Sequence, residues 1–248
     1  MISKEELKEY ALTKKLNLGQ AEINYFQNII LFILYQNFGK ELVFKGGTAL
    51  NIVYGLPRFS EDLDFTLSKE IDIKDIVQHG LNRFYLESEI TEKRNKNSFN
   101  YIIRIKGPLY IGIKESLCRI ELDFSLREKV CLEPKISTIG RLLLELPQFD
   151  VIVMNPKEIL AEKVRAIITR KKARDVYDLW FLIEMGTNID FDLIAEKLRY
   201  YEKKYSFSDF KRNLNLKKDI WESELKPLLK IVPPIEEKIN IILKKFRK

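Results

Sequence analysis

Two cysteines and one histidine in 248 residues deprive this chain of several kinds of chemistry. Cys118 and Cys131 form no CxxC pair, and His79 stands alone, so zinc sites and thiol redox centres lack their ligands. His79 itself reads as a surface residue on a helix. A long apolar run is missing as well. The most hydrophobic stretch, INYFQNIILFILYQNF, is interrupted by Asn and Gln and reads as a core helix, not a membrane span. The first helical stretch carries Lys and Glu where a secretion signal needs an apolar segment, which points to a soluble, cytoplasmic protein. With 46% hydrophobic and 32% charged residues, the composition is neither disordered nor membranous.

What is present is length and positive charge. A chain of 248 residues can bury one large core or two smaller ones, and the pattern favours two lobes, residues 1–150 and 151–248. The formal charge of +7 suits a polyanionic partner such as nucleic acid, whose counterions a basic surface releases. Surface Lys and Glu arranged in ion-pair networks are the alternative. Periodicity predicts helices over residues 4–16 and 21–38, a short strand in ELVFKG, a helix in TALNIVY and a strand in DLDF. A helix over 73–86, a charged loop over 94–97 and strands over 99–105 and 116–124 follow. From Pro156 the pattern is helical to the end, broken at Gly186 and at Pro233–Pro234. The terminal KKFRK reads as a solvated helix end or a phosphate contact.

The run KGGTALNIVYGLPRFSEDLDF, Lys45 to Phe65, concentrates the chemistry. In an extended DLDF segment, Asp62 and Asp64 point to one side while Leu63 and Phe65 point to the other. Two neighbouring carboxylates repel unless a cation lies between them, and oxygen ligands without histidine or thiolate suit Mg²⁺ shared with substrate phosphates. Gly46 and Gly47 lack Cβ atoms, so backbone amides there can approach a phosphate, and Thr48 adds a hydroxyl donor. Lys45 and Arg58 supply positive charge, the guanidinium being fitted to bidentate phosphate contact. The order of residues excludes a Walker P-loop, which places its lysine after the glycines.

Further along, alternation sets Arg119, Glu121 and Asp123 on one face of a strand and Cys118, Ile120, Leu122 and Phe124 on the other. Asp123 is thus a candidate third carboxylate, with a solvated edge-strand face as the alternative. Between Ile159 and Ile183 the apolar stripe shifts by roughly a quarter turn, which two helices broken near Lys171 explain. Lys163, amid an apolar helical pattern, needs an anionic partner. Tyr200, Tyr201 and Tyr205, interleaved with Lys203 and Lys204, suit either base stacking or a helix's core edge.

GGTAL followed by RxSxDLDF, carried by Gly46, Gly47, Thr48, Arg58, Ser60, Asp62 and Asp64, resembles the nucleotidyltransferase motif of the AbiE-type (AbiEii/AbiGii) toxin family. The segment PKEILAEKVRAIITRKKARDVYDLWFL, Pro156 to Leu182, is similar to that family's second block, a lysine-bearing helix followed by RxxxRDxxDL. The resemblance covers about two thirds of the chain. It implies an α+β fold, a nucleotidyltransferase-like mixed sheet with flanking helices followed by a helical C-terminal lobe, with the active site in a cleft between lobes. It also implies a toxin of a toxin–antitoxin or phage-defence system that transfers NMP from an NTP to an acceptor hydroxyl, the tRNA 3′ end foremost, and that pairs with a cognate antitoxin. Under it, Lys163 serves nucleotide phosphates, Arg170 and Arg174 serve phosphates or acidic partners, and Asp175 or Asp178 serves catalysis; with Asp123, which the resemblance leaves open, they are the candidate bases. Asp175 and Asp178 alternatively fix the basic groups, and an Arg174–Asp175 bridge between helices is a structural alternative. Two other functions remain open: a non-catalytic GTP/NTP-binding module, and γ-phosphate transfer to a protein or small molecule.

Overall fold

Two capped helices open the chain. In the computed structural model, which describes residues 2–69, 71–95, 98–140 and 146–247, α1 (Lys4–Lys14) starts at a Ser3–Glu6 capping box and α2 (Leu18–Asn37) at an Asn17–Gln20 box. Each box satisfies amides that a helix start otherwise leaves unpaired. The interrupted apolar run lies in α2 and is mostly buried, as a core helix requires. Among the described residues, no helix is long and apolar enough to cross a membrane.

The chain then alternates strand and helix through β1 (Leu42–Lys45), α3 (Gly46–Ile52), β2 (Leu63–Leu67) and α4 (Lys74–Arg83), and continues in five successive strands, β3 (Ser88–Asn95), β4 (Ser98–Ile105), β5 (Cys118–Ser125), β6 (Lys135–Ile139) and β7 (Phe149–Val153). These strands form one mixed sheet in the order β3-β4-β5-β2-β1-β7-β6, with β2 parallel to β5 and β1 parallel to β7. Helices complete the chain: α5 (Pro156–Thr169), α6 (Arg174–Glu184), α7 (Phe191–Arg199), α8 (Phe207–Asn215), α9 (Trp221–Leu225) and α10 (Ile235–Phe246). The fold class implied by the sequence is the one observed, and the break near Lys171 falls between α5 and α6.

Some elements differ from expectation. The helix expected in TALNIVY starts two residues earlier, so the glycine pair lies in the first turn of α3 itself. Strands β3, β6 and β7 carry no sequence prediction. In β3, SEITEKRN, the residues are exposed or half-buried along an edge, so apolar alternation has no core to record. Of the predicted charged loop, Arg94 and Asn95 belong to β3, while Lys96 and Asn97 lie outside the described residues. The basic tail runs through α10 as far as Phe246, and Lys248 lies outside the described residues.

Contacts divide the chain into two compact units, neither of them one continuous stretch. The first comprises residues 1–49, 61–129 and 134–153 and contains the whole sheet. Its core is marked by a row of phenylalanines: register sets Phe44, Phe65, Phe124 and Phe99 side by side across β1, β2, β5 and β4. Successive ring centroids are 5.4, 5.2 and 5.0 Å apart, and all four rings are buried. Stacked or tilted aromatic neighbours contribute about 0.5–1.5 kcal/mol beyond their area.

The second unit comprises residues 50–60, 130–133 and 154–248. Within it, the fully buried Lys197 of α7 reaches Glu158 at 2.6 Å and Glu162 at 3.3 Å, both on α5. Glu158 also accepts the amides of Cys131 and Leu132, tying the short 130–133 segment to the helices. Tyr205 joins Phe191, Phe210 and Phe246 in an aromatic cluster, and Arg165 lies over the Tyr201 ring at 4.6 Å. Of the two readings of these tyrosines, Tyr205 takes the core-edge role.

Phe124 stacks on neighbours to both sides. Phe124→Ala is expected to cost about 3–5 kcal/mol, read as a lowered urea midpoint, the range for emptying a buried aromatic site. A loss below ~1 kcal/mol would show that the row is not a core element.

Candidate active site

Shifting one residue along each strand from the phenylalanine row reverses the face and the chemistry. Lys45 of β1 lies opposite Asp64 of β2, Asp64 opposite Asp123 of β5, and Asp123 opposite Asn100 of β4. The row therefore reads cation, carboxylate, carboxylate, amide, all within the first unit. Asp62 sits two residues before Asp64, just ahead of β2, and is half-buried like Asp64, while Leu63 and Phe65 are fully buried. The alternation expected of DLDF is thus realised.

Asp123 feels its neighbours. Burial, then the charges of Asp64, Glu121 and Asp62, push its carboxyl up from 3.8 to about 7, with a hydrogen bond from Asn100 acting against the shift. This strand position, open in sequence between third carboxylate and solvated face, lies beside the other two acids. Neither Asn100 nor Glu121 was marked as a site residue by sequence, because alternating polar residues on a strand look alike whether they face solvent or a site. Asn100 Nδ2 donates to Glu121.

Gly46 explains the first glycine. Its φ of +75° lies in the left-handed region, and an added Cβ would fall onto the Asp64 carboxylate, 2.8 Å from Cγ and 2.9 Å from Cβ. Backbone thus occupies space beside Asp64 that any other residue would fill. Gly47 is buried one residue further into α3. Thr48 requires a correction. Its side chain is fully buried and donates to the carbonyl of Asp62, so the hydroxyl fastens α3 to the carboxylate segment and is not offered to a phosphate.

The second unit holds the other predicted residues in a buried ionic network. Arg58 is 1% exposed and grips Asp178 with two nitrogens, Nε to Oδ1 at 2.6 Å and Nη2 to Oδ2 at 2.7 Å, while Nη1 donates to the Phe59 carbonyl at 2.9 Å. Its bidentate fork is therefore filled by a carboxylate, not presented to phosphate. Lys163 finds its anionic partners inside the protein, Asp178 at 2.6 Å and Asp175 at 3.1 Å. Arg170 closes the network with two bonds to Asp175, at 2.7 and 2.8 Å, and stays 46% exposed. The bridge to Asp175 thus comes from Arg170 and not from Arg174, which is half-buried and forms no ion pair among the described residues. Ser60 is buried in the same unit.

These partners surround Asp175 and Asp178 with positive charge. Burial alone would raise both carboxyls, but Lys163 and Arg170 around Asp175, and Arg58 and Lys163 around Asp178, outweigh it and hold both below the usual range. Of the three candidate bases, Asp123 alone has a pKa near neutrality.

The donor set around Asp64 consists only of oxygen, which suits a hard divalent cation. Among the described residues no group of three or more His, Cys, Asp or Glu converges as a closed metal cage.

Sheet order, strand-borne carboxylates and the glycine beside them suit a nucleotidyltransferase. Solved structures agree on the fold. JHP933 from Helicobacter pylori superposes with a TM-score of 0.64 at 22% identity, covering 91% of this chain and 89% of that one. The MenT4 nucleotidyltransferase toxin of Mycobacterium tuberculosis gives 0.65 at 18% identity, covering 100% and 89%, and a second H. pylori structure, described as a putative nucleotidyltransferase, gives 0.62 at 23%, covering 90% and 91%. No curated protein matches. The model of the nucleotidyl transferase AbiEii toxin family, of type IV toxin–antitoxin systems, matches residues 30–245, and the chain belongs to that family.

Two outcomes follow from the electrostatics. Asp178→Asn leaves Arg58 and Lys163 short of charge in a buried place and is expected to cost about 3–5 kcal/mol in urea unfolding, whereas a surface pair costs under ~1. For Asp123 the sign is opposite to that of a salt-bridged acid. The folded carboxyl keeps its proton to about pH 7 while the unfolded one releases it near 3.8, so the folded state binds more protons in this window and stability falls as pH rises through it. In chelator, Asp123→Asn is expected to gain on the native protein more at pH 8 than at pH 4; an equal gain at both would refute the assignment.

Proposed function

We propose that this chain transfers a nucleoside monophosphate from an NTP to an acceptor hydroxyl of RNA, with the tRNA 3′ end as the favoured acceptor, Mg²⁺ as cofactor and the cytoplasm as its place of action. A cognate antitoxin would restrain it. The observation that carries the reading is the Asp64–Asp123 register pair: two carboxylates on neighbouring strands, with Asp62 beside them and Gly46 holding the space next to Asp64 free of a side chain.

Asp62 and Asp64 would hold the cation, which when bound neutralises triphosphate charge and lowers the pKa of the attacking hydroxyl. Asp123 takes that hydroxyl's proton, since a base with a pKa near the working pH balances availability against strength. The acceptor oxygen forms its bond to the α-phosphorus while the bond from that phosphorus to the bridging oxygen of pyrophosphate breaks, and pyrophosphate leaves with the electron pair. Gly46 and Gly47 let backbone lie close to the phosphates, and Lys45, in the same row, offsets negative charge. Thr48 positions Asp62 through its carbonyl. Within the second unit, Lys163, Arg170, Asp175, Asp178 and Arg58 are assigned to an ionic framework that holds its helices together.

The experiment is incorporation of label from each α-labelled NTP into total RNA with Mg²⁺. Asp64→Asn is expected to lower transfer at least ~100-fold, the scale for removing one charge-stabilising group, without lowering the thermal midpoint. Full transfer by the variant would remove the metal assignment. Label reaching an acceptor from the γ-position, or NTP binding without any incorporation, would replace this reaction by phosphotransfer or by a binding module.

A further inference from the structure

The amide of Asn100 bridges two carboxylates of β5. In the pairing of β4 with β5 it lies opposite Asp123, and Glu121 stands two residues before Asp123 on the same face. Nδ2 of Asn100 donates to Oε1 of Glu121, and the side chain also hydrogen-bonds to Asp123. One amide nitrogen carries two hydrogens, so a single group can serve both acids. Its oxygen is left over: Oδ1 is buried and accepts no hydrogen bond among the described residues.

An unpaired buried acceptor destabilises a fold, so its retention has a cause. Turning the amide over would face Oδ1 to two carboxylates and withdraw both donor hydrogens, so the acids themselves select the orientation that strands the oxygen. Glu121 is held from its other side, where Arg119 donates to Oε2. A chain of polar contacts thus runs Arg119, Glu121, Asn100, Asp123, entirely within the first unit. The backbone beneath it is fixed, because β4 pairs with both β3 and β5 at every residue from Ser98 to Ile105. A base acts only while one of its oxygens is held toward the proton it takes. An amide gives that hold without adding the positive charge that Lys or Arg would bring.

We propose that Asn100 is the positioning residue for the base: its amide, anchored by Glu121 and through it by Arg119, fixes the side-chain rotamer of Asp123 and leaves one carboxylate oxygen turned to the acceptor hydroxyl. The proposal rests on the reading of the chain as a nucleotidyltransferase with Asp123 as base, and names the group that aims that base.

The test is the initial rate of label transfer into total RNA with Mg²⁺, over a range of concentrations of whichever α-labelled NTP the native protein incorporates. Asn100→Leu keeps the bulk of the side chain and removes both donors. It is expected to lower kcat about 10- to 100-fold, the scale of a misplaced reacting group, with KM for the NTP within about twofold of native. Asn100→Ser keeps one donor and is expected to lose less of kcat, again at unchanged KM. Thermal midpoints establish that each variant is folded, and the serine variant, which keeps a polar group at this half-buried position, decides the matter should the leucine variant unfold. A second readout is free of turnover: in ¹⁵N-labelled protein with chelator and no NTP, the side-chain amide protons of Asn100, identified by their loss in Asn100→Ser, are expected to shift when Asp123→Ala removes their acceptor. A kcat within about twofold of native in the folded variants, a loss confined to KM, or amide protons unmoved by Asp123→Ala overturns the proposal. Absence of transfer by the native protein refutes the transferase reading and the proposal together, whereas native transfer with kcat intact in the variants overturns the proposal alone.

Discussion

The register of four strands is the constraint on which the rest depends. Because side chains alternate with period two, the alignment that stacks Phe44, Phe65, Phe124 and Phe99 on one face also places Lys45, Asp64, Asp123 and Asn100 on the other. A slip of one residue in any of these strands would drive a polar side chain, a carboxylate in β2 or β5, into the aromatic core and a phenyl ring out of it. The hydrophobic effect therefore does not merely support the site. It fixes the distance between Asp64 and Asp123 at one strand spacing, about 4.8 Å in the hydrogen-bonding direction. Electrostatics would separate these acids, and core packing prevents it.

Much of this was legible in the residues. DLDF announces its two faces by alternation, and CRIELDF does so again, which is enough to nominate three carboxylates. The parallel pairing that makes Asp64 and Asp123 neighbours is a long-range property and carries no local signal. Gly46 was nominated for phosphate approach; the structure adds a second reason, its closeness to Asp64, which no spacing rule contains. The edge strand β3 escaped notice because an exposed strand has no apolar stripe, and β6, KISTI, is largely solvated for the same reason.

The polar residues of the second block show where pattern reading reaches its limit. Lys163, Arg170, Asp175 and Asp178 fall at spacings that suit a nucleotide as well as they suit one another. Physical chemistry demanded an anion for a lysine on an apolar helix face, and the demand was met by Asp178 and Asp175. Arg58 is the instructive case. Read in its own segment, it belongs to the glycine and carboxylate motif; in space it belongs to α6, clasped by an aspartate 120 positions later.

That clasp bears on how the molecule is made. Residues 50–60 leave the ribosome early, yet their compact unit is completed by residues 154–248. Sheet packing can proceed once β7 has emerged, since synthesis delivers all seven strands before α5. Arg58 has to wait, hydrated and unburied, until Asp178 arrives. A chain cut short between β7 and α6 would carry an arginine without the aspartate that buries it, so a residue in the first quarter of the chain waits on one made more than a hundred positions later.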